Sequence, residues 1–122
     1  MKTLAVMIAS LGMLGASCAQ AQPMPVADDA RAVAPALERY AQGPLTDLWQ
    51  RPGLSRRDRS LVTITALVAG GNTEQLPFHL QLGRQNGLTE SEVVEAITHL
   101  AFYTGWPRAM SAITAAKQTF AA

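Results

Sequence analysis

The stretch SRRDRSLVTITALVAGG, residues 55–71, decides the fold that this sequence predicts. It opens with Ser55-Arg-Arg-Asp58, an S-x-x-[DE] helix start signal, and closes with Gly70-Gly71, a helix stop. Between these two signals, apolar residues would occupy almost every face of a helix. Several of them are β-branched, which would also suit a strand. Thirteen residues from Asp58 to Gly70 are long for a strand, however, and both end signals belong to helices. The stretch therefore predicts a buried central α-helix.

On the N-terminal side of this helix, the sequence predicts one further helix and a short helical segment. Asp28 and Asp29 suit a helix N-terminus. The apolar residues that follow them at helical spacing are Val33, Leu37 and Tyr40. Gly43-Pro44 and the Arg-Pro-Gly of residues 51–53 interrupt the chain on either side of the short segment 45–49. Trp49, in that segment, is expected to pack in the core.

On the C-terminal side, three more helices are predicted. One spans residues 73–86, has Pro77 in or near its first turn, and stops at Asn86-Gly87. Thr89-Glu-Ser-Glu92 is a capping box that begins the next. Its expected buried stripe is Val93, Ile97, Leu100 and Ala101. Pro107 suits the first position of a last helix, which carries Met110, Ile113 and Phe120. The chain thus predicts an all-α domain of five to six helices.

Residues 1–21 read as a secretory signal peptide. Lys2 supplies the positive start, residues 4–14 form the apolar run, and Ala19-Gln-Ala21 is an A-x-A cleavage site. A membrane span needs roughly twenty apolar residues, so this run is too short to predict one. The alternative is lipoprotein processing at Cys18. We expect a periplasmic or secreted protein with its domain over residues 22–122 and no integral membrane span.

The composition of the expected mature chain excludes several classes of function. The 122 residues contain ten Lys plus Arg, nine Asp plus Glu and one cysteine. Removal of residues 1–21 takes away Lys2 and Cys18, which leaves a neutral chain without a thiol. Because the charges balance, the chain has no excess of positive charge of the kind that nucleic-acid-binding domains use. A small exported domain without disulfides must rely on its own core or on self-association.

Two histidines are the candidates for acid–base chemistry. Glu74 and Gln75 precede His79 by one turn, and Gln75 shares a helix face with it. The second candidate set is the i, i+4, i+8 stripe of Glu95, His99 and Tyr103. Either set could instead be a hydrogen-bonded network on a helix surface. With no thiol available, no zinc cluster is expected, and no glycine-rich phosphate loop predicts a nucleotide cofactor.

Three arginines stand at the start of the central helix. They are Arg56, Arg57 and Arg59. A helix N-terminus already favours anions, so a pocket for a carboxylate could form there. The alternative is an exposed basic turn that Asp58 partly neutralises.

Three segments carry a resemblance to a known family. They are RPGLSRRDRSL at residues 51–61, HLxxGxxNGLTxxE at 79–92 and ITHLAFYTGWP at 97–107. With them, the chain from Leu48 onward resembles the carboxymuconolactone decarboxylase family. The resemblance implies an all-helical, AhpD-like fold that assembles into homo-trimers or homo-hexamers.

The family has a thiol branch and a decarboxylase branch. Members similar to the peroxidase AhpD carry a C-x-x-C pair ahead of the histidine, and those positions are Asn72 and Gln75 in this chain. Peroxidase or disulfide reductase activity needs a reactive thiolate, so the resemblance implies neither activity for this chain. This holds even if a family label names the chain as a peroxidase. The decarboxylase branch is more similar, because it lacks the cysteines and keeps histidines at the places of His79 and His99.

The decarboxylase branch releases CO₂ from an unsaturated lactone acid, 4-carboxymuconolactone, without a metal or organic cofactor. The resemblance implies that Arg59, with Arg56 or Arg57, binds the carboxylate and that His79 delivers a proton. It assigns Glu74 to positioning, His99 and Tyr103 to the oxyanion or pocket wall, and Trp106 to substrate binding. The expected substrate is a small lactone or keto carboxylic acid. Two alternatives remain, another small-molecule reaction in the same pocket and a non-catalytic helical oligomeric binding module.

Overall fold

The computed structural model describes residues 28–122, and all of its regular elements are helical. The predicted signal peptide, Cys18 and the expected start of the mature chain lie outside the described residues. The seven α-helices are α1 (Asp28–Val33), α2 (Pro35–Gln42), α3 (Pro44–Gln50), α4 (Arg56–Gly70), α5 (Leu76–Gln85), α6 (Glu90–Thr104) and α7 (Trp106–Ala121), and a 3₁₀ turn spans Thr73–Gln75. The prediction of an all-α domain is confirmed. Within residues 28–122, no helix combines the length and apolar character that crossing a membrane requires.

Helix α4 begins and ends where its sequence signals predict. The Ser55 hydroxyl accepts a hydrogen bond from the Asp58 backbone N–H at 3.0 Å, which satisfies one free donor of the first turn. At the other end, Gly71 adopts a left-handed conformation with φ 74°, which glycine enters without steric cost. The Arg108 guanidinium also donates to the Ala69 carbonyl and so ties α7 to the end of α4.

The core lies among α4, α5, α6 and α7. Helix α4 packs against α5 and α6, and α7 packs against the same two helices. The largest fully buried apolar side chains are Ile64, Val68, Leu76, Leu80, Val93 and Ile97. Ala101 is also buried as predicted, whereas Leu100 packs only partly against this core.

One expectation about burial needs correction. Helix α4 is not buried all round, because Val62 is 57% exposed while Ile64 and Val68, on another face of the helix, are buried. In α7, Met110 is 52% exposed, and Ile113 and Phe120 are only partly buried. The buried stripe of α7 consists of Ala109, Ala112, Ala116 and Thr119. Small side chains allow its backbone to approach α5 and α6 closely.

The N-terminal segment is divided into short helices without buried side chains. The single helix predicted over Val33, Leu37 and Tyr40 is interrupted at Ala34, since Pro35 lacks an N–H and disfavours helical geometry in the residue before it. Neither α2 nor α3 contributes a buried residue. Helix α3 contacts both α2 and α4, so it joins this segment to the core.

Candidate active site

His79 lies in the first turns of α5 with its side chain withdrawn from solvent. The residue is only 6% exposed, and burial lowers the pKa of its imidazole below the usual 6.5. Its Nδ1 atom is buried and has no hydrogen-bond partner among the described residues. A buried polar atom without a partner is destabilising unless a bound group satisfies it, so His79 is a candidate for contact with a ligand.

Two aromatic rings flank this imidazole. The neighbouring Phe78 ring meets it edge to face, at 5.1 Å between centroids and 86° between planes. The Trp49 ring from α3 lies nearly parallel to it, at 6.5 Å and 23°. Trp49 is half-buried rather than in the core, so its predicted place in the core is corrected to a place at the site.

A cleft of about 120 Å³ opens where α3, the following loop and α4 meet. Its lining residues are Leu48, Trp49, Leu54, Arg59, Val62 and Thr63. Arg59, Val62 and Thr63 have i, i+3, i+4 spacing and therefore present one face of α4. Trp49 is shared between this cleft and the His79 ring, so it connects the two parts of the site.

Arg59 is the cation of the cleft. One of its terminal nitrogens, Nη2, donates to the Arg51 carbonyl at 2.9 Å, while its Nε is buried and has no partner among residues 28–122. A guanidinium with an unused buried N–H suits a carboxylate oxygen, because charge-assisted hydrogen bonds are the stronger ones. The cleft thus offers a cation, and apolar walls around it.

The other two predicted arginines differ from Arg59 in their surroundings. Arg57 forms ion pairs with Glu92 at the start of α6 and with Asp58. Its guanidinium therefore joins α4 to α6, away from the residues that line the cleft. Arg56 is half-buried at the first position of α4. Neither of them is among the cleft-lining residues.

The second histidine occupies a different surface. His99 is exposed on α6 and stacks on Tyr103 at 4.8 Å between centroids, and Tyr103 is itself 76% exposed. Trp106, at the start of α7, is 63% exposed. Glu74, in the 3₁₀ turn before α5, is also exposed. Their predicted roles in catalysis and binding remain predictions, since no recorded contact joins any of them to His79 or the cleft.

Of the six cleft-lining residues, the sequence predicted a site role for Arg59 alone and missed the other five, which are Leu48, Trp49, Leu54, Val62 and Thr63. A signal for Thr63 existed, because it stands four residues after Arg59 on a predicted helix. Leu54 and Trp49 flank the Arg-Pro-Gly break, and only the way this loop folds back onto α4 brings them together. For metals, the described residues hold no cluster of three or more His, Cys, Asp or Glu side chains.

Fold and site define an all-helical domain whose candidate active site contains a buried imidazole and a guanidinium, and residues 28–122 contain no cysteine. The sequence profile of the carboxymuconolactone decarboxylase family matches residues 32–118, and the chain belongs to that family.

Two named relatives are similar to this chain. It is 40% identical over 84 residues to a 4-carboxymuconolactone decarboxylase of Acinetobacter baylyi, an alignment that covers 69% of this chain and 60% of the relative. It is 38% identical over 72 residues to nitrosuccinic acid decarboxylase npaB of Metarhizium robertsii, with 59% of this chain and 50% of the relative covered. The chain thus spans between half and three-fifths of the length of these curated relatives.

Proposed function

We propose that this protein is a cofactor-independent decarboxylase of a small carboxylic acid. The observation that carries the proposal is the pair of buried, unpartnered polar atoms, His79 Nδ1 and Arg59 Nε, whose residues both have Trp49 as a neighbour, His79 by ring stacking and Arg59 in the cleft. The names of both relatives support it, because each specifies an acid that loses CO₂. A lactone or keto acid is the substrate class that the family resemblance favours.

In the proposed reaction, Arg59 holds a carboxylate of the substrate in the cleft. The bond between this carboxylate and the substrate carbon breaks, CO₂ leaves, and the bonding electron pair moves into a conjugated carbonyl of the substrate. Apolar walls strengthen the attraction between the guanidinium and the anionic substrate, since they exclude water. His79 then delivers one proton to the carbon at which the electron pair finally resides.

The surroundings of His79 suit this proton transfer. Burial favours its neutral form, whereas a bound anion beside it favours the protonated form. We therefore expect the imidazole to take up a proton when an anionic substrate binds and to give it away readily once CO₂ has left. Solvent returns the proton for the next turnover.

The test is CO₂ release from 4-carboxymuconolactone and from a panel of lactone and keto acids, followed by mass spectrometry. His79→Ala should lower kcat about 100-fold or more, the usual contribution of a positioned acid or base. Arg59→Gln should raise KM about 10- to 100-fold, because it removes a charge-assisted contact. The matched control is Arg39→Gln, which removes an exposed arginine of α2 and should leave both constants unchanged. No CO₂ from any acid in the panel would contradict the proposal and favour the non-catalytic binding module.

We also propose that the protein is a homo-oligomer, a trimer or a hexamer as the family resemblance implies. Large apolar side chains support this, because several are exposed where α6 ends and α7 begins. These are Phe102 (83% exposed), Tyr103 (76%), Trp106 (63%) and Met110 (52%). A concentration of exposed apolar residues of this size is typical of a protein–protein interface.

A further inference from the structure

We propose that Trp49 is a positioning residue for His79. Its indole lies against one face of the imidazole, fixes the ring's orientation and keeps water from that face. The inference rests on the proposed function for its catalytic consequence, but the contact itself is a property of the fold. The role is distinct from substrate binding at Arg59, although Trp49 also lines the cleft.

Of the two aromatic rings near His79, Trp49 is the one that stacks on a face of the imidazole. The planes of the Phe78 ring and the imidazole are 86° apart, so these two rings do not stack. The Trp49 ring is only 23° from parallel, with 6.5 Å between centroids, which is within the range of offset stacking. An imidazole in contact with two aromatic rings whose planes differ has little freedom to rotate. Its unpartnered Nδ1 therefore points in one fixed direction.

The position of Trp49 is in turn fixed by α4. Trp49 stands two residues before Arg51, the C-terminal cap of α3, and the Arg51 carbonyl accepts a hydrogen bond from Arg59 Nη2 at 2.9 Å. A cation at a helix C-terminus also stabilises the dipole of that helix. Arg59 thus anchors the end of α3 that carries Trp49. The guanidinium, the indole and the imidazole form one connected arrangement across α3, α4 and α5.

Charged groups do not explain the properties of His79. The charged side chains on elements next to α5 include Arg59 on α4, Glu74 in the 3₁₀ turn, and Arg108 on α7. Arg59 and Arg108 donate to backbone carbonyls, and Glu74 is exposed. The pKa of His79 is lowered by burial alone. Removal of an aromatic ring that provides this burial should therefore change how His79 titrates.

The experiment compares Trp49→Ala, Trp49→Phe and the control Tyr40→Ala. Tyr40 is an aromatic residue of the same N-terminal segment that is 63% exposed, so its truncation tests for a general effect on that segment. The chain has only two histidines, so the imidazole signals in an NMR titration can be assigned with a His99→Gln spectrum. In Trp49→Ala, the pKa of His79 should rise toward 6.5, while Trp49→Phe and Tyr40→Ala should keep it lowered. Circular dichroism checks that each variant folds.

The kinetic arm uses decarboxylation of 4-carboxymuconolactone by the full domain. Trp49→Ala should lower kcat about 10-fold or more with a smaller change in KM, because misplacement of an acid–base group acts on the chemical step. The pKa seen in the pH dependence of kcat/KM should move in the same direction as the NMR titration. Trp49→Phe should restore most of kcat.

An unchanged His79 titration in folded Trp49→Ala protein would overturn the proposal, whatever the activity. If Trp49→Ala does not fold, Trp49→Leu replaces it, since leucine fills the space without a planar face. Leucine keeps the imidazole buried, so the pKa of His79 should stay lowered while kcat falls as in Trp49→Ala, and an unchanged kcat counts against the proposal. Loss of activity in the unsubstituted protein would instead overturn the proposed function, and the titration would still decide whether Trp49 holds the ring.

Discussion

His79 has two properties that seldom occur together in a residue with only a structural role. It is buried, and one of its ring nitrogens has no hydrogen-bond partner in the described part of the chain. Burial of a polar atom without a partner costs about 1–3 kcal/mol. A site that binds a substrate and transfers a proton to it would satisfy such an atom and so offset this cost.

The burial of His79 predicts how stability depends on pH. Because the folded-state pKa lies below 6.5, the unfolded chain binds the proton more readily. The free energy of unfolding should therefore be highest above pH 6.5, fall as the pH drops below 6.5, and level off below the folded-state pKa. Urea unfolding between about pH 7.5 and 5.5 measures this slope.

His79→Gln should flatten that slope, and the control His99→Gln, at an exposed position, should retain it. A slope of the same size in His79→Gln protein would contradict the assignment of the slope to His79.

Glu92 affects stability in a separate, more acidic pH range. Its pKa is lowered from 4.5, first by the Thr89 backbone N–H, so the stability it contributes is present above pH 4.5 and is lost as the pH falls through the lowered value.

At the residue scale, the sequence predicted the principal charged groups but not how they are arranged. His79 and Arg59 were both candidates, and in the structure Trp49 stacks on the one and lines a cleft with the other. Trp49 itself is an aromatic residue in a short helical segment, a pattern equally consistent with the core. The hydrogen bond from Arg59 Nη2 to the Arg51 carbonyl, eight residues apart in the chain, holds the end of this segment on α4, and no local sequence signal predicts that bond.

At the scale of elements, the helix ends are the best determined features. The capping box of α6 is complete, because the Thr89 hydroxyl accepts from the Glu92 N–H and the Glu92 carboxylate accepts from the Thr89 N–H. Glu92 also pairs with Arg57 of α4. The same carboxylate thus starts one helix and connects it to another.

We predict that Thr89→Ala lowers the free energy of unfolding by about 1 kcal/mol, the usual effect of losing an N-cap side chain. The control is Thr98→Ala in the same helix, where the hydroxyl donates to the Val94 carbonyl and alanine is the better helix former. Chemical denaturation of both variants measures the difference. Equal destabilisation by the two substitutions would mean that the cap contributes nothing specific.

Local signals predicted helices well wherever a start and a stop were both present, as in α4 and α6. They failed at Pro35, where one continuous helix was predicted and the structure has two short helices, α1 and α2. They did not reveal the buried stripe of α7, which consists of three alanines and one threonine. Side-chain size indicates how much surface a residue can bury, but close approach of two helices selects the small ones.

At the scale of the whole molecule, the exposed apolar residues predict self-association. Phe102→Glu places a charge on the most exposed of those at the end of α6, and it should shift the protein to a smaller species in light scattering or sedimentation. Gln118→Glu is the matched control, since it adds the same charge at an exposed position of α7. If the unsubstituted protein has the mass of a single chain at micromolar concentration, the proposed oligomer is wrong.

The absence of buried side chains from α2 and α3 implies a hierarchy of local opening. Backbone amides in these helices should exchange with deuterated solvent faster than those of α4, α5 and α6, because short helices without a buried face separate from the core at a small free energy. One wall of the cleft belongs to this easily opened unit. A ligand bound in the cleft should then slow exchange selectively in α3, because the helix that forms this wall would have to separate from the ligand as well as from α4.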